Sequence, residues 1–238
     1  TVIRRLDILL EDTKDKVLEM YNFMREREIE PNPAAFSGIT GYPFYNTSKY
    51  TLRRLLDEPS QIEENFREYL RGFSENVVQI IDKFKFRNQL ETLVEANCLY
   101  SLIQKFTSKD INLSPDPVLH DDGSVRLVGL SNLGMGYVFE ELIRKFNEEN
   151  NEEAGEHFTP RDIIRLMTNL LFLPIRDQIE SSTYLVYDPA CRSGGMLTEA
   201  ESALIELAEQ NGKQVRLELF GQEVNPETFA ICQSDMLI

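Results

Sequence analysis

The segment "STYLVYDPACRSGGMLTEAESALIELAEQ", residues 182–210, decides the fold of the second half of the chain. It opens with a β-rich run, continues through a turn of small residues, and ends in the apolar spacing of a helix. "VRLELFGQE" then predicts a second strand, and "NPETFAICQSDML" predicts a second helix. Strands that alternate with helices in this way predict a parallel sheet with helical crossovers.

The first half of the chain is predicted to be helical, because its apolar residues recur at helical spacing. The predicted helices are Ile3–Glu30, shorter ones beginning at Lys49, Ser60 and Ser74, and "LETLVEANCLYSLIQKF", residues 90–106. Residues 30–48 and 107–124 are rich in proline, glycine and other turn formers, and they are predicted to be loops.

We therefore expect an all-α domain over residues 1–130, followed over residues 131–238 by the beginning of an α/β domain. The second part opens with a predicted long helix, "SNLGMGYVFEELIRKFNEENNEEAG". Thr159 is predicted to cap the next helix, with Pro160 at its first position. The chain starts at Thr1 rather than methionine and stops inside a predicted helix, so we expect a part of a longer protein.

Two carboxylates are predicted to lie at the ends of neighbouring strands. In a doubly wound sheet, ligands bind beyond the carboxyl ends of the strands, where Asp188 and Glu223 would stand. Ser193, Gly194 and Gly195 allow a tight turn, and the free N–H groups of the following helix point at the same place. These features predict a ligand site at this edge of the sheet.

The composition of the turn favours one class of ligand. A dinucleotide site uses G-x-G-x-x-G, which is absent here, and Asp188 would repel a pyrophosphate. The same carboxylate suits a cationic amino group, while Glu223 can accept hydrogen bonds from ribose hydroxyls. S-adenosyl-L-methionine carries both groups and fits the pattern better.

The motifs also resemble a known family. "DPACRSGGML" is similar to the cofactor loop D-P-A-C-G-[ST]-G-G-[FM]-L of DNA adenine methyltransferases. "AGEHFTPRDIIRLM", "FGQEVNPETFAICQSDMLI" and "LGMGYVFEELIRKF" resemble segments of the modification (M) subunits of type I restriction–modification systems. Taken together, these resemblances extend over nearly the whole chain.

The resemblance implies a function and a set of site residues. It implies a Rossmann-like methyltransferase domain that transfers a methyl group from S-adenosyl-L-methionine to adenine N6 in DNA. The residues that it implies for cofactor binding are Glu156, His157, Phe158, Thr159, Pro160, Arg161, Asp188, Pro189, Ala190, Ser193, Gly194, Gly195 and Glu223. The family's catalytic motif, Asn/Asp-Pro-Pro-Tyr/Phe, does not occur in residues 1–238, so no catalytic residue is assigned and the fragment is expected to be inactive alone.

Charge and composition bear on partners and location. The chain has 25 lysines and arginines against 40 acidic residues, a net charge of −15, whereas a chain that grips DNA alone usually has a basic face. The resemblance implies that a specificity subunit, a restriction subunit and a second modification subunit share the contact with double-stranded DNA. The sequence contains no run of ~18 consecutive apolar residues, so no membrane span is predicted. Three widely spaced cysteines predict reduced thiols in the cytoplasm and no metal site.

One residue departs from the family pattern. Arg192 stands where the family has glycine. If that position needs a positive φ, arginine costs about 1–3 kcal/mol or obstructs the ligand. Two alternatives therefore stay open: an assembly or regulatory protein that keeps the fold without a cofactor, and a different methyltransferase or a nicotinamide enzyme on a similar sheet.

Overall fold

The structure, a computed structural model, describes residues 1–150 and 159–237. Within these residues the chain divides into two compact units, Thr1–Leu130 and Ser131–Leu237. None of the described helices combines the length and the apolar character that a membrane crossing requires.

The first unit is built mainly from helices. Its helices are α1 (Val2–Glu11), α2 (Lys14–Glu26), α3 (Pro33–Thr40), α4 (Ile62–Arg71), α5 (Glu75–Lys83), α6 (Phe86–Glu95) and α7 (Leu99–Phe106). A small antiparallel hairpin follows, made of β1 (Val118–Leu119) and β2 (Val125–Leu127). Aromatic and aliphatic side chains fill the core, among them Phe36, Phe44 and Tyr69.

Two predicted helices are each broken once by a residue with positive φ or by a polar turn. The predicted helix Ile3–Glu30 is interrupted at Asp12 and Thr13, where Thr13 Oγ1 donates to the carbonyl of Leu10. The predicted helix 90–106 is interrupted by Asn97, which has φ +53°. Asparagine tolerates this left-handed conformation, and it ends α6 with the hydrogen-bond pattern of a Schellman motif.

Two further predictions for this unit were wrong. Residues 30–48 were predicted to be a loop but contain α3, because the Asn32 side chain caps the N–H of Ala34 and Pro33 occupies the first turn. The helix predicted from Lys49 is instead a 3-10 turn, Arg54–Asp57.

The backbone amides of that segment explain the difference. The N–H of Tyr50 donates to Ser48 Oγ, and the N–H of Leu52 donates to the buried carboxylate of Asp7. These side-chain acceptors hold the segment in a local conformation, and its first helical hydrogen bond is that of the Leu55 N–H to the carbonyl of Thr51.

The second unit alternates helices and strands as predicted. Its elements are α8 (Asn132–Asn150), α9 (Arg161–Phe172), a 3-10 segment (Leu173–Gln178), β3 (Thr183–Asp188), α10 (Gly195–Gln210), β4 (Arg216–Gly221) and α11 (Pro226–Leu237). The strands β3 and β4 are parallel, with Thr183 opposite Arg216 and Asp188 opposite Gly221. The predictions of both strands, of α10 and of α11 are therefore confirmed.

The sheet of β3 and β4 is covered on one face. Val186 and Leu219 pack with the buried Leu197 of α10, and Tyr184 and Leu217 pack on the same helix further along. Alternate side chains point to the opposite face. There, within the described residues, Leu185, Tyr187 and Phe220 are exposed.

The start of α9 differs from the prediction. Thr159 was predicted to cap the helix, but the helix begins at Arg161, and the described residues show no side-chain cap. Pro160 has an extended ψ of 135°, so it precedes the helix instead of forming its first turn.

Candidate functional site

The carboxyl ends of β3 and β4 bring the two predicted carboxylates to one edge of the sheet. Asp188 is the last residue of β3, and Glu223 follows the end of β4 by two residues. The N–H of Gln222 donates to the carbonyl of Asp188, which holds the two strand ends together. Both carboxylates are partly buried.

Each carboxylate uses one oxygen to shape its own turn. Asp188 Oδ1 accepts from the N–H of Ala190 at 3.0 Å, and Glu223 Oε1 accepts from the N–H of Asn225 at 2.8 Å. Within the described residues, neither Asp188 Oδ2 nor Glu223 Oε2 accepts a hydrogen bond. The site therefore presents two negatively charged acceptors, which is what an amino group and ribose hydroxyls require.

The turn between β3 and α10 is held by backbone hydrogen bonds. The N–H of Cys191 donates to the carbonyl of Gln222 at 2.8 Å, and the N–H of Gly194 donates to the carbonyl of Cys191 at 2.8 Å. Gly194 has φ +90°, and a Cβ there would lie 2.9 Å from Cys232 Sγ. Only glycine fits this position without displacing its neighbours.

Arg192 occupies a left-handed conformation. Its φ is +49°, a backbone conformation that residues other than glycine, asparagine and aspartate rarely adopt. The condition stated for this position, that it needs a positive φ, is thus met. Its half-buried side chain also lines a pocket at the end of β3.

A pocket of about 160 Å³ lies at this edge of the sheet. Its lining residues come from the strand end, the turn and the neighbouring helix, and they are Thr159, Ile164, Met167, Asp188, Ala190, Cys191, Arg192, Ser193, Gly195 and Met196. The described lining encloses less than the ~300–1,000 Å³ of a typical small-molecule site. Of the predicted cofactor residues, Glu156, His157 and Phe158 lie outside the described part of the chain.

The remaining predicted residues divide into those that line the pocket and those that do not, and Glu223, beyond the end of β4, is among those that do not. Thr159, Asp188, Ala190, Ser193 and Gly195 line the pocket, and Gly194 lies within the turn that forms its wall. Pro160 and Pro189 are exposed next to lining residues. Arg161 does not line the pocket, because its guanidinium is turned towards neighbouring helices.

Arg161 is buried in a cluster of charged side chains. Its Nη2 lies 2.8 Å from Glu140 Oε1 of α8, and its Nη1 lies 3.9 Å from Glu199 Oε2 of α10. The same guanidinium stands over the ring of Tyr137, 5.1 Å from the centroid. Asp235 of α11 is also close, and burial raises the pKa of its carboxyl to about 6, against the opposing effect of Arg161.

The acidic members of this cluster were not predicted from the sequence. Glu140, Glu199 and Asp235 lie on three helices that are far apart in the sequence, and no motif contains them all. The available signal was their helical register. Glu140 follows "GMGYVF" on an apolar stretch of α8, where an acidic residue needs a buried partner.

Two cysteines lie behind the turn. Cys191 Sγ and Cys232 Sγ are 3.8 Å apart, and both side chains are buried. Burial raises the pKa of both thiols. A thiol held in its neutral form is a poor nucleophile. We therefore assign the pair a packing role between the turn and α11.

Two families match the chain. Residues 1–106 match the family described as HsdM N-terminal domain, and residues 131–238 match N-6 DNA Methylase. The two matches therefore follow each other in the chain and together take up most of it.

Curated relatives carry names that agree with one another. The chain is 29% identical over 104 residues to the type I restriction enzyme HindI methylase subunit of Haemophilus influenzae, a match that covers 44% of this chain and 21% of that protein. It is 25% identical to the type I restriction enzyme EcoEI methylase subunit of Escherichia coli, over 95% of this chain and 41% of that protein. The chain thus spans less than half the length of these relatives.

One solved structure is similar over the length of the chain. It is a crystal structure of the type I restriction-modification system methyltransferase subunit from Streptococcus thermophilus. The similarity covers 99% of this chain and 49% of that one, with a TM-score of 0.48 and 15% identity.

Proposed function

The chain belongs to the modification subunits of type I restriction–modification systems, and on that premise we propose that the edge of β3 and β4 binds S-adenosyl-L-methionine. The observation that carries the proposal is the placement of Asp188 and Glu223 beside the turn that leads into α10. The whole protein would use the site to methylate adenine N6 in DNA, with a Rossmann-like sheet that β3 and β4 begin.

The roles of this chain's residues follow from the chemistry of the cofactor. Asp188 accepts a hydrogen bond from the amino group of the methionine part, directly or through water. Glu223 accepts from the ribose hydroxyls. The turn residues Ser193, Gly194 and Gly195 bring backbone N–H groups and the start of α10 close to the ligand.

The other predicted residues complete the proposed site. Thr159 and Pro160 line the methionine side, and Pro189 and Ala190 shape the strand end. When bound, S-adenosyl-L-methionine supplies an electrophilic methyl group. The residues that hold a flipped adenine would come from outside residues 1–238, because the Asn/Asp-Pro-Pro-Tyr/Phe motif is absent here. The chain alone would bind the cofactor without transferring its methyl group.

The proposed partners explain the acidic composition. A chain with a net charge of −15 makes few phosphate contacts alone, so double-stranded DNA would be held mainly by the specificity subunit. The helical unit 1–130 would join the chain to that subunit, to a second modification subunit and to the restriction subunit. The cytoplasm, where cellular DNA is accessible, is the proposed location.

A second candidate function is favoured by Arg192. Its side chain lines the pocket from a strained backbone position, so the chain could serve assembly or regulation without a cofactor. The two candidates differ in one measurable property, which is cofactor binding.

Calorimetric titration of S-adenosyl-L-methionine tests the proposal. We expect binding by the wild-type chain or by Arg192→Gly, with affinity about tenfold or more lower in Asp188→Asn and in Glu223→Gln, since each loses a charged hydrogen-bond acceptor. Glu218→Gln is the matched control, because it neutralises an exposed carboxylate in the middle of β4, away from the strand ends where Asp188 and Glu223 stand. If neither the wild-type chain nor Arg192→Gly binds S-adenosyl-L-methionine, the proposal is refuted and the cofactor-free candidate is favoured.

A further inference from the structure

The guanidinium of Arg161 joins the start of α9 to the first turn of α10. Its Nη1 lies 3.4 Å from the carbonyl oxygen of Gly195 and 3.4 Å from Thr198 Oγ1. Both atoms belong to the first turn of α10, which begins at Gly195, the last residue of the Ser193–Gly195 segment. The opposite nitrogen, Nη2, pairs with Glu140 of α8 at 2.8 Å. One planar group thus bridges three helices.

Gly136 of α8 provides the space for this group. A Cβ at Gly136 would lie 2.7 Å from Arg161 Nη2. The glycine at this position therefore removes a side chain from the place that the guanidinium occupies. A Cβ at Gly195 would lie at ordinary contact distances from Arg161 Cζ and Glu140 Oε1, at 3.5 Å and 3.4 Å.

The electrostatics of the position require the acidic partners. A cation at the N-terminal end of a helix is opposed by the helix dipole. Glu140 and Glu199 offset this effect, and their side chains are almost as buried as that of Arg161, with exposures of 10%, 12% and 7%. If the arginine were removed, the buried carboxylate of Glu140 would lose its cation, which is far costlier than losing a surface ion pair, whereas Glu199 would keep its pairing with Arg165.

We propose that Arg161 is a positioning residue, whose guanidinium fixes the first turn of α10, and with it the Ser193–Gly195 turn, against α8. The inference rests on the proposed function where it concerns the cofactor, and it assigns Arg161 a role behind the site instead of a place in its lining. Arg161 acts on the ligand only through the backbone that it holds.

Amide hydrogen exchange without any ligand tests the positioning directly. In Arg161→Gln we expect exchange over residues 193–198 to become about tenfold faster, because the turn loses hydrogen bonds to a charged donor. Exchange in the C-terminal half of α10 should stay unchanged. Arg161→Lys keeps the charge but not the planar pair of donors, so its exchange rate over residues 193–198 should lie between those of the wild type and Arg161→Gln.

Arg165→Gln is the matched control on the same helix. Arg165 is exposed and pairs with Glu199 at 3.1 Å, but no hydrogen bond joins it to Gly195 or Thr198 within the described residues. Its substitution should leave exchange over residues 193–198 as in the wild type. If Arg161→Gln unfolds the whole unit, Glu140→Gln keeps the test open, since it releases the guanidinium from α8 alone and should speed exchange of the same residues.

Cofactor titration then separates this inference from the proposed function. We expect Arg161→Gln to weaken S-adenosyl-L-methionine binding about tenfold, with Arg165→Gln unchanged. Unchanged exchange over residues 193–198, or equal affinity in Arg161→Gln and the wild type, would overturn the positioning role. Faster exchange in a chain that never binds the cofactor would support the positioning of α10 and refute the proposed function instead.

Discussion

Replacing Arg192 by glycine should stabilise the chain, although it removes a half-buried side chain. The φ of +49° costs a residue with a Cβ about 1–2 kcal/mol. Glycine recovers that cost but loses roughly 0.5–1 kcal/mol through its greater freedom in the unfolded state. For the backbone alone, the difference is a gain of about 0–1.5 kcal/mol, and its middle value of roughly 0.75 kcal/mol would raise the midpoint of thermal unfolding by about 2–3 °C.

Two companion variants separate the backbone from the side chain. Arg192→Ala clears the pocket but keeps the Cβ, so it should bring no gain in the unfolding midpoint. Glu28→Gly is the control, because Glu28 is an exposed residue with φ +56° in the other unit, and its midpoint should rise in the same way.

The result that would refute this reasoning is a lower midpoint in Arg192→Gly together with a higher one in Glu28→Gly. It would mean that the contacts of the arginine side chain outweigh the strain of its backbone. Cofactor titration of the same variants adds a second outcome. Equal gains in affinity for Arg192→Ala and Arg192→Gly would identify the side chain as the obstacle, whereas a gain in Arg192→Gly alone would identify the backbone.

Three further predictions concern the second unit. Burial raises the pKa of Asp235 from 3.8 to about 6, so the folded chain holds this proton more tightly than the unfolded chain does. The associated stability is lost as pH rises through 6. The stability gained by Asp235→Asn, measured by denaturant unfolding, should therefore be larger at about pH 7 than at about pH 4.5. The exposed Cys98 should react with a thiol reagent much faster than the buried Cys191 and Cys232, whose raised pKa values disfavour the thiolate, and equal rates under native conditions would contradict the burial. The exposed Phe220 belongs to an uncovered apolar face, so Phe220→Lys should reduce binding of an apolar fluorescent dye while leaving the circular dichroism of the chain unchanged.

The strand–turn–helix order of the second unit could be predicted because each element carries its own signal. The β-rich residues of β3, the small residues of the turn and the helical spacing of α10 lie next to one another in the sequence. The positions of Asp188 and Glu223 at neighbouring strand ends followed from the parallel sheet alone. The strand ends observed for both residues agree with that expectation.

The errors arose where a side chain from elsewhere decided the local structure. In the segment from Lys49, where a helix was predicted, Asp7 of another helix accepts the N–H of Leu52, a contact that the local sequence does not indicate. Asn97 ends a helix through a left-handed conformation that its residue type allows but does not require. The ion pair of Arg161 with Glu140 could not be predicted either, because the two residues lie on helices that only the folded chain brings together.

The space that Gly136 leaves for Arg161 means that these two positions are not independent units of variation. A methyl group at Gly136 is a local defect only while the guanidinium is present, so the same substitution can be harmful in one sequence background and tolerated in another. A double-mutant cycle between Gly136→Ala and Arg161→Lys would express this dependence as a coupling energy. Attempts to move this segment into a related chain would therefore have to transfer Arg161 and Gly136 together.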